Sequence, residues 1–232
     1  MFMKTIGLLG GMSWESTASY YQLLNEGVKQ ALGGLHSAKI VLYSVDFHEI
    51  EEYQRQNKWR EAAELLANAA KGIEAAGADV VLICTNTMHK IADGIQSQIG
   101  IPLLHIADTT AQKLQSDTIK KVGLLGTKFT MEESFYKGFI SDNYGIDVIT
   151  PNQKERDIVH DIIYSELCCG QIKASSRAQY VEIVEKMQKE GAEGIILGCT
   201  EIALLLKQSD TPVQLYDTTS IHVQSALSFA LK

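Results

Sequence analysis

Short apolar runs alternate with amphipathic stretches along nearly the whole chain. Runs rich in β-branched residues predict strands at 5–9, 39–45, 79–84 and 102–106, and again at 121–125, 147–149, 194–199 and 212–215. Apolar residues at helical spacing predict helices at 14–32, 59–76 and 88–98, and then at 130–143, 154–169, 175–189, 201–207 and 220–231. Strands and helices that alternate in this way predict an α/β fold with parallel sheets.

The two halves of the chain carry the same pattern. Ile6-Gly7-Leu8-Leu9-Gly10 recurs as Val122-Gly123-Leu124-Leu125-Gly126, at an offset of 116 residues, and Cys84-Thr85 recurs as Cys199-Thr200, at an offset of 115 residues. The order of predicted elements is also the same, apart from one added helix in the second half. We therefore expect two similar, pseudo-symmetric lobes, each with a parallel sheet of about four strands flanked by helices.

The lobe boundary is expected near the middle of the chain. Residues 108–118 are predicted to cross from one lobe to the other, and the last helix can pack back onto the first lobe. This predicts an N-terminal lobe of residues 1–108 plus 218–232 and a C-terminal lobe of residues 109–217.

Two cysteines fall at the carboxyl ends of predicted strands, where open parallel sheets bind their ligands. If the lobes face each other about a pseudo-twofold axis, Cys84 and Cys199 come to opposite walls of one cleft, and we expect the active site there. Sequence order alone also allows two sites that point away from each other. A lone cysteine on an apolar strand is usually a small buried hydrophobe, but here the arrangement occurs twice.

Paired thiols on two sides of a substrate suit the inversion of a stereocentre, since one group removes the α-proton and the other returns a proton to the opposite face. Both thiols are predicted to precede a helix N-terminus, which can lower a thiol pKa from about 8.5 toward neutrality. The polar residues that follow them, among them Thr85, Asn86, Thr87 and Thr200, can donate hydrogen bonds to a carboxylate.

Composition and charge exclude several other classes. A formal net charge of −7 and a pI of about 5.4 argue against nucleic acid as a partner. No apolar run approaches the roughly 18 residues of a membrane span and no export signal is evident, so we expect a cytoplasmic protein with free thiols. The histidines lack metal-site spacing, and Gly10-Gly11 lacks the spacing of a nucleotide-binding loop. Cys168 and Cys169 are interpreted as packing residues.

Three segments resemble the aspartate/glutamate racemase family. They are Gly10-Gly11-Met12-Ser13, Cys84-Thr85-Asn86-Thr87-Met88-His89 and Gly198-Cys199-Thr200-Glu201-Ile202, and the resemblance covers essentially the whole chain. Within this family, the chain resembles the bacterial aspartate or broad-specificity amino-acid racemases more strongly than other members. The resemblance implies a two-lobed α/β fold, a small amino-acid substrate, a frequent homodimer, and catalysis with no cofactor, neither pyridoxal phosphate nor a metal.

The resemblance also implies roles for individual residues. Cys84 and Cys199 match the catalytic pair. Gln54 stands where some aspartate racemases place an arginine that grips the side-chain carboxylate, and Arg55 would take that place after a one-residue shift. A glutamine offers no charge-assisted fork, so a preference for acidic side chains is left open. The residues that match substrate-binding positions are Met12, Ser13, Gln54, Thr85, Asn86, Thr87, Thr127, Lys173, Thr200 and Glu201, with Glu201 as an acceptor for the substrate ammonium group.

The sequence thus predicts a cofactor-independent racemase of aspartate, glutamate or both. The alternatives are a broad-specificity racemase of neutral or polar amino acids, a related isomerase or decarboxylase of small acids, and a binding protein without catalysis.

Overall fold

The computed structural model describes residues 3–232, and its strands form two parallel sheets of four strands each. Internal contacts divide the chain into two units. The first runs up to Ile106 and takes in His222–Lys232, and the second is Ala107–Ile221. The predicted α/β fold with two four-stranded parallel sheets is confirmed.

The first unit has the strand order β2-β1-β3-β4. A 3-10 helix at Thr87–Ile91 precedes α4, and α5 (Ile106–Ser116) begins at the unit boundary. The other elements are β1 (Ile6–Gly10), α1 (Trp14–Leu32), β2 (Ile40–Ser44), α2 (Phe47–Arg55), α3 (Trp59–Ala75), β3 (Val80–Ile83), α4 (Ala92–Gln96) and β4 (Leu103–Leu104).

The second unit repeats this order as β6-β5-β7-β8. Two short 3-10 helices lie at Leu167–Cys169 and Gln208–Asp210. The other elements are β5 (Lys121–Gly126), α6 (Lys128–Glu132), α7 (Ser134–Tyr144), β6 (Asp147–Ile149), α8 (Gln153–Ser165), α9 (Ala174–Lys189), β7 (Gly194–Gly198), α10 (Ile202–Leu205), β8 (Gln214–Asp217) and α11 (Thr218–Ala230).

The helix expected as an addition between the second and third strands of the second half has a counterpart in the first half, because α2, which the pattern did not predict, lies between β2 and β3. This helix is rich in charge and buries only Ile50 and Gln54, and its N-cap Asp46 accepts a hydrogen bond from the His48 N–H. With α2 included, two helices separate β2 from β3 and two separate β6 from β7. Residues 108–118, expected to cross from one lobe to the other, lie largely in α5, which begins at the boundary between the two units.

Several predicted helices are interrupted. The predicted helix 88–98 is a 3-10 helix followed by α4, and 130–143 is divided between α6 and α7. The predicted helix 201–207 shortens to the four residues of α10. Both cysteine strands are therefore followed by short helical segments.

Strand alternation sorts the apolar side chains onto the two faces of each sheet. In the first unit, Leu9 and Ile83 pack with α3, whereas Leu8, Leu82 and Cys84 pack on the other face with α1 and α11. In the second unit, Leu125, Ile195 and Leu197 pack with α8 and α9. Cys168 packs against this last core, but Cys169 is exposed, so the packing role expected for Cys169 is wrong.

Among the described residues, no helix is both long enough and apolar enough to cross a lipid bilayer.

Candidate active site

Cys84 directly follows β3, in line with its predicted place at a strand end. Its backbone N–H donates to the Leu9 carbonyl oxygen at 3.0 Å, which continues the pairing with β1. The side chain is fully buried, and its Sγ lies 3.9 Å from the Leu82 carbonyl oxygen. This burial raises the pKa of the Cys84 thiol, so the sulfur is protonated at neutral pH.

Cys199 directly follows β7 and is partly exposed. Its Sγ donates to Glu201 Oε2 at 2.9 Å. Burial and the neighbouring Glu201 carboxylate, which disfavours a second negative charge, hold the pKa of the Cys199 thiol well above its usual value. Glu201 itself is buried. The carboxylate expected to take the substrate ammonium group is thus hydrogen-bonded to the thiol.

The expectation that helix N-termini lower the two thiol pKa values is wrong, because burial raises both. After Cys84 comes a 3-10 helix of five residues, and after Cys199 an α-helix of four. Helices this short align few peptide dipoles, so the cost of burying a thiolate outweighs their field.

The two thiols are not equivalent within their sheets. Ile83 pairs with Leu9, so Cys84 follows at the level of Gly10. Gly198 pairs with Gly126, the counterpart of Gly10, so Cys199 lies one residue further along its strand. A shift of one residue reverses the face of a sheet to which a side chain points. Cys84 accordingly packs on the α1 face of its sheet, whereas Cys199 packs on the α8 and α9 face.

The glycine loop after β1 has a conformation that requires glycine. Gly11 has a φ of +96°, and a Cβ there would lie 2.2 Å from the Val45 carbonyl oxygen. Its N–H donates to Thr17 Oγ1 at 2.8 Å. The buried Met12 belongs to the core beneath the loop, and Ser13 is the N-cap of α1, accepting from the Ser16 N–H.

Other predicted binding residues lie in the turns after the strands. Thr127 is the N-cap of α6 and accepts from the Thr130 N–H. Asn86 and Thr87 are buried in the turn after Cys84, and Thr85 is half-buried. In the second unit the Thr219 hydroxyl lies 3.2 Å from that of Thr200.

Gln54 reaches the turn that follows Cys84. Its side chain is buried, and Nε2 donates to the sulfur of Met88 at 2.9 Å. Arg55 lies at the surface, with its side chain 65% exposed, and pairs with Glu51 and Glu52 of its own helix. The side chain brought to this turn from α2 is therefore neutral.

Lys173 immediately precedes α9 and pairs with Glu166, with 3.1 Å between Nζ and Oε1. The second carboxylate oxygen of Glu166 accepts from the Ser176 hydroxyl at 2.6 Å. The predicted substrate contact of Lys173 would therefore require this ion pair to open.

Sequence reasoning missed two residues that contact the turns after the cysteine strands. The Ser16 hydroxyl donates to the Cys84 carbonyl oxygen at 2.7 Å, and Thr219 contacts Thr200. Thr219 follows the end of β8, so the strand-end rule that selected the cysteines could have found it. Ser16 lies in the first turn of α1, where its hydroxyl gives no distinct sequence signal.

Among the described residues, no group of three or more His, Cys, Asp or Glu side chains is arranged to hold a metal ion.

Comparison with known proteins identifies the family. The Asp/Glu/Hydantoin racemase family model matches residues 9–226. A crystal structure of a candidate Asp/Glu racemase from Yersinia pestis is 53% identical, has a TM-score of 0.94, and matches over 99% of this chain and 100% of its own. An aspartate racemase homologue from Pyrococcus horikoshii OT3 is 34% identical, with a TM-score of 0.88 over 99% of this chain and 100% of its own.

A curated relative covers the same length. The broad specificity amino-acid racemase RacX of Bacillus subtilis (strain 168) is 22% identical over 231 residues, or 96% of each chain. Together with the match of the family model over most of the sequence, this similarity confirms the resemblance drawn from the cysteine motifs. The chain therefore belongs to the Asp/Glu/hydantoin racemase family and is an isomerase of the racemase class.

Proposed function

We propose that this protein is a cofactor-independent amino-acid racemase in which Cys84 and Cys199 are the two acid/bases. One observation carries the proposal: in each unit the third strand, β3 or β7, is followed directly by a cysteine and then a threonine. A single thiol would be enough to bind a ligand or to transfer a proton on one face of a substrate. Two thiols at matching strand ends of a duplicated fold meet the need for proton transfer on both faces of one α-carbon.

The surroundings of the two thiols support different roles for them. The Cys199 thiol donates to Glu201, so this carboxylate can take its proton and leave a thiolate. Cys84 is buried and stays protonated. Both thiols are protonated in the resting protein, and transfer of the Cys199 proton to Glu201 during the reaction makes Cys199 the base and Cys84 the acid.

The reaction follows from these roles. The Cys199 thiolate takes the α-proton, the C–H bond breaks, and its electron pair remains on the α-carbon and spreads into the carboxylate. Cys84 then gives its proton to the opposite face. Hydrogen-bond donors near the carboxylate stabilise the charge that develops there, and we assign this role to the polar turn residues of both units, namely Ser13, Thr85, Asn86, Thr87, Thr127 and Thr200.

We propose aspartate, glutamate or both as substrates, in keeping with the family. A second candidate, a broad range of neutral or polar amino acids, is supported by Gln54. This buried residue offers an amide where an arginine would bind a side-chain carboxylate, while Arg55 lies at the surface.

The test is a chiral assay of all common L-amino acids in D₂O, with the α-hydrogen followed by NMR. Cys84→Ala and Cys199→Ala should each abolish racemisation, because one face of the α-carbon then lacks its proton carrier. Cys169→Ala, which alters an exposed thiol, is the matched control and should keep activity. Full activity after either active-site substitution would refute the mechanism.

The same assay separates the alternatives. A decarboxylase would release CO₂ and would be silenced at only one of the two cysteines. A binding protein without catalysis would leave the α-hydrogen unexchanged.

We also propose that two copies associate through the edge strand β2. A groove of about 420 Å³ beside this strand is lined by Trp14, Thr17, Ala18, Tyr21, Leu42 and Ser44, and none of these side chains is charged. Trp14 is 68% exposed, and Leu42 and Tyr43 are close to half exposed. Exposed apolar edges of this kind invite pairing unless they are covered.

A second copy is the occupant that this surface favours. Two identical edge strands can pair about a twofold axis and satisfy each other's free backbone groups. Each copy has a net charge of −7, so an uncharged face brings two copies together with the least repulsion. The corresponding edge strand β6 has only three residues and begins at Asp147, which lies 3.8 Å from Lys121.

A further inference from the structure

The backbone around Cys84 is held by three hydrogen bonds. The Cys84 N–H donates to Leu9 in ordinary strand pairing, at 3.0 Å. The other two bonds come from side chains: Ser16 Oγ donates to the Cys84 carbonyl oxygen at 2.7 Å, and His89 Nδ1 bonds the Thr85 carbonyl oxygen at 2.8 Å. The peptide groups that set the direction of the Cys84 side chain are thus fixed by Ser16 and His89.

The bond to Thr85 fixes the tautomer of His89. A carbonyl oxygen only accepts, so Nδ1 carries the hydrogen. Burial, together with the neighbouring His105 and His222, lowers the pKa of His89 well below its usual value and keeps the ring neutral. Nε2 is therefore a bare acceptor, and it has no hydrogen-bond partner among residues 3–232.

This unpaired nitrogen argues against a role in stability alone. A buried acceptor without a donor destabilises the folded state, and a phenylalanine of similar size would avoid that cost. Histidine at position 89 leaves Nε2 unpaired, but it provides one specific donor, Nδ1, for the turn beside Cys84. Sites that break a rule of stability in this way are commonly functional.

The ring is also confined by its neighbours. Its centroid lies 4.7 Å from that of His105 and 5.7 Å from that of His222, both in edge-to-face contact. His222 is itself held at both nitrogens, since Nε2 donates to the Leu104 carbonyl oxygen at 2.9 Å and Nδ1 accepts from the Tyr20 hydroxyl at 2.8 Å. A ring packed in this way can transmit a fixed geometry to the Thr85 carbonyl.

We propose that His89 is a positioning residue for Cys84, acting through the Thr85 carbonyl to aim the thiol at the α-carbon of the substrate. This inference rests on the proposed two-thiol racemase mechanism. In the second repeat the position that corresponds to His89 is occupied by Leu204, whose side chain has no hydrogen-bond donor. A change at His89 therefore affects the proton transfer of only one of the two thiols.

The experiment compares His89→Phe with His89→Asn. Phenylalanine removes the donor, and kcat should fall roughly ten- to a hundred-fold because the thiol is misaimed, with KM little changed. Asparagine keeps an N–H at a similar distance from its backbone and should restore most of the activity. A phenylalanine variant that folds and retains the wild-type kcat would overturn the inference.

Isotope effects separate positioning from a general loss of folded enzyme. With each α-deuterated enantiomer, His89→Phe should increase the primary isotope effect for the enantiomer whose α-proton Cys84 removes, and decrease it for the other. Fewer active molecules would leave both isotope effects unchanged, and that result would also overturn the inference.

A matched control removes a different bond of the same cluster. Tyr20→Phe loses the hydroxyl that binds His222 but leaves the bond between His89 and Thr85 in place. It should lower the temperature of thermal unfolding while kcat and both isotope effects stay as in the wild type. If Cys84→Ala keeps full activity, the racemase mechanism itself fails. If Cys84→Ala is inactive and the His89 variants have wild-type isotope effects, only the role of His89 fails.

Discussion

The two cysteines look alike in the sequence, but they have different chemical neighbours. Cys84 is enclosed by apolar core residues. Ser16 bonds the Cys84 carbonyl oxygen, and His89 bonds the carbonyl oxygen of the next residue, Thr85. Cys199 donates to a carboxylate from the same short motif. The motif located both thiols and Glu201. The motif alone does not show that the Glu201 carboxylate accepts a hydrogen bond from the Cys199 sulfur, because this contact depends on side-chain packing.

At this scale we predict opposite effects of Glu201→Gln on racemisation and on thiol reactivity. Glutamine cannot take the thiol proton, so kcat should fall by about a hundred-fold, the size expected for loss of a general base. The same change removes the negative charge that raises the pKa of Cys199, so more thiolate forms at a given pH.

Two measurements check this prediction. Racemisation is followed by chiral chromatography, and the rate of iodoacetamide alkylation is followed against pH in a variant whose other three cysteines are serine. The alkylation midpoint should move to lower pH in Glu201→Gln. An unchanged kcat would show that Glu201 is not the proton acceptor, and an unchanged midpoint would show that its charge does not act on the sulfur.

Among the elements, the positions of the strands could be predicted from the sequence, but the register between paired strands could be predicted only in part. Most predicted strands lie close to the observed ones, because β-branched runs encode extended structure locally. Helix α2 was not predicted, since its charged sequence buries few residues. The one-residue difference between the two repeat offsets is visible in the sequence, but its effect on the faces of the sheets required the strand register.

For the edge strand we predict that Leu42→Lys converts a dimer into a monomer. A lysine there places a charge in the apolar contact between two copies and opposes its own counterpart across the twofold axis. The oligomeric state is measured by sedimentation velocity at several protein concentrations. Leu35→Lys is the matched control, because Leu35 is fully exposed in the loop before β2 and its replacement should leave the dimer intact. A wild-type protein that is monomeric throughout would contradict the proposed association.

On the scale of the whole molecule, His222 links distant parts of the chain. It bonds Tyr20 and the Leu104 carbonyl oxygen, which are 202 and 118 residues away in the sequence. Burial lowers the pKa of His222 from 6.5 to about 4. The folded protein thus keeps the ring neutral at a pH where the unfolded chain takes up a proton.

We therefore predict a loss of stability as the pH falls. The contribution of His222 is complete above pH 6.5, and about 3 kcal/mol of it is lost as the pH falls toward 4. The lowered pKa of His89 acts in the same direction. The free energy of unfolding, measured in urea across this range, should depend less on pH in His222→Gln, because glutamine keeps a donor for Leu104 but does not titrate. The same pH dependence in both proteins would contradict the prediction.

By itself, the sequence determined the α/β class, the duplication and the place of both cysteines at strand ends. Each of these depends on residue patterns within a few turns of the chain, which local propensity and periodicity express directly. The tertiary structure decided the protonation of the thiols, the partner of Glu201 and the histidine cluster beside Cys84. Those properties depend on which distant segments exclude water from a group or supply its hydrogen bond, and no local pattern specifies that.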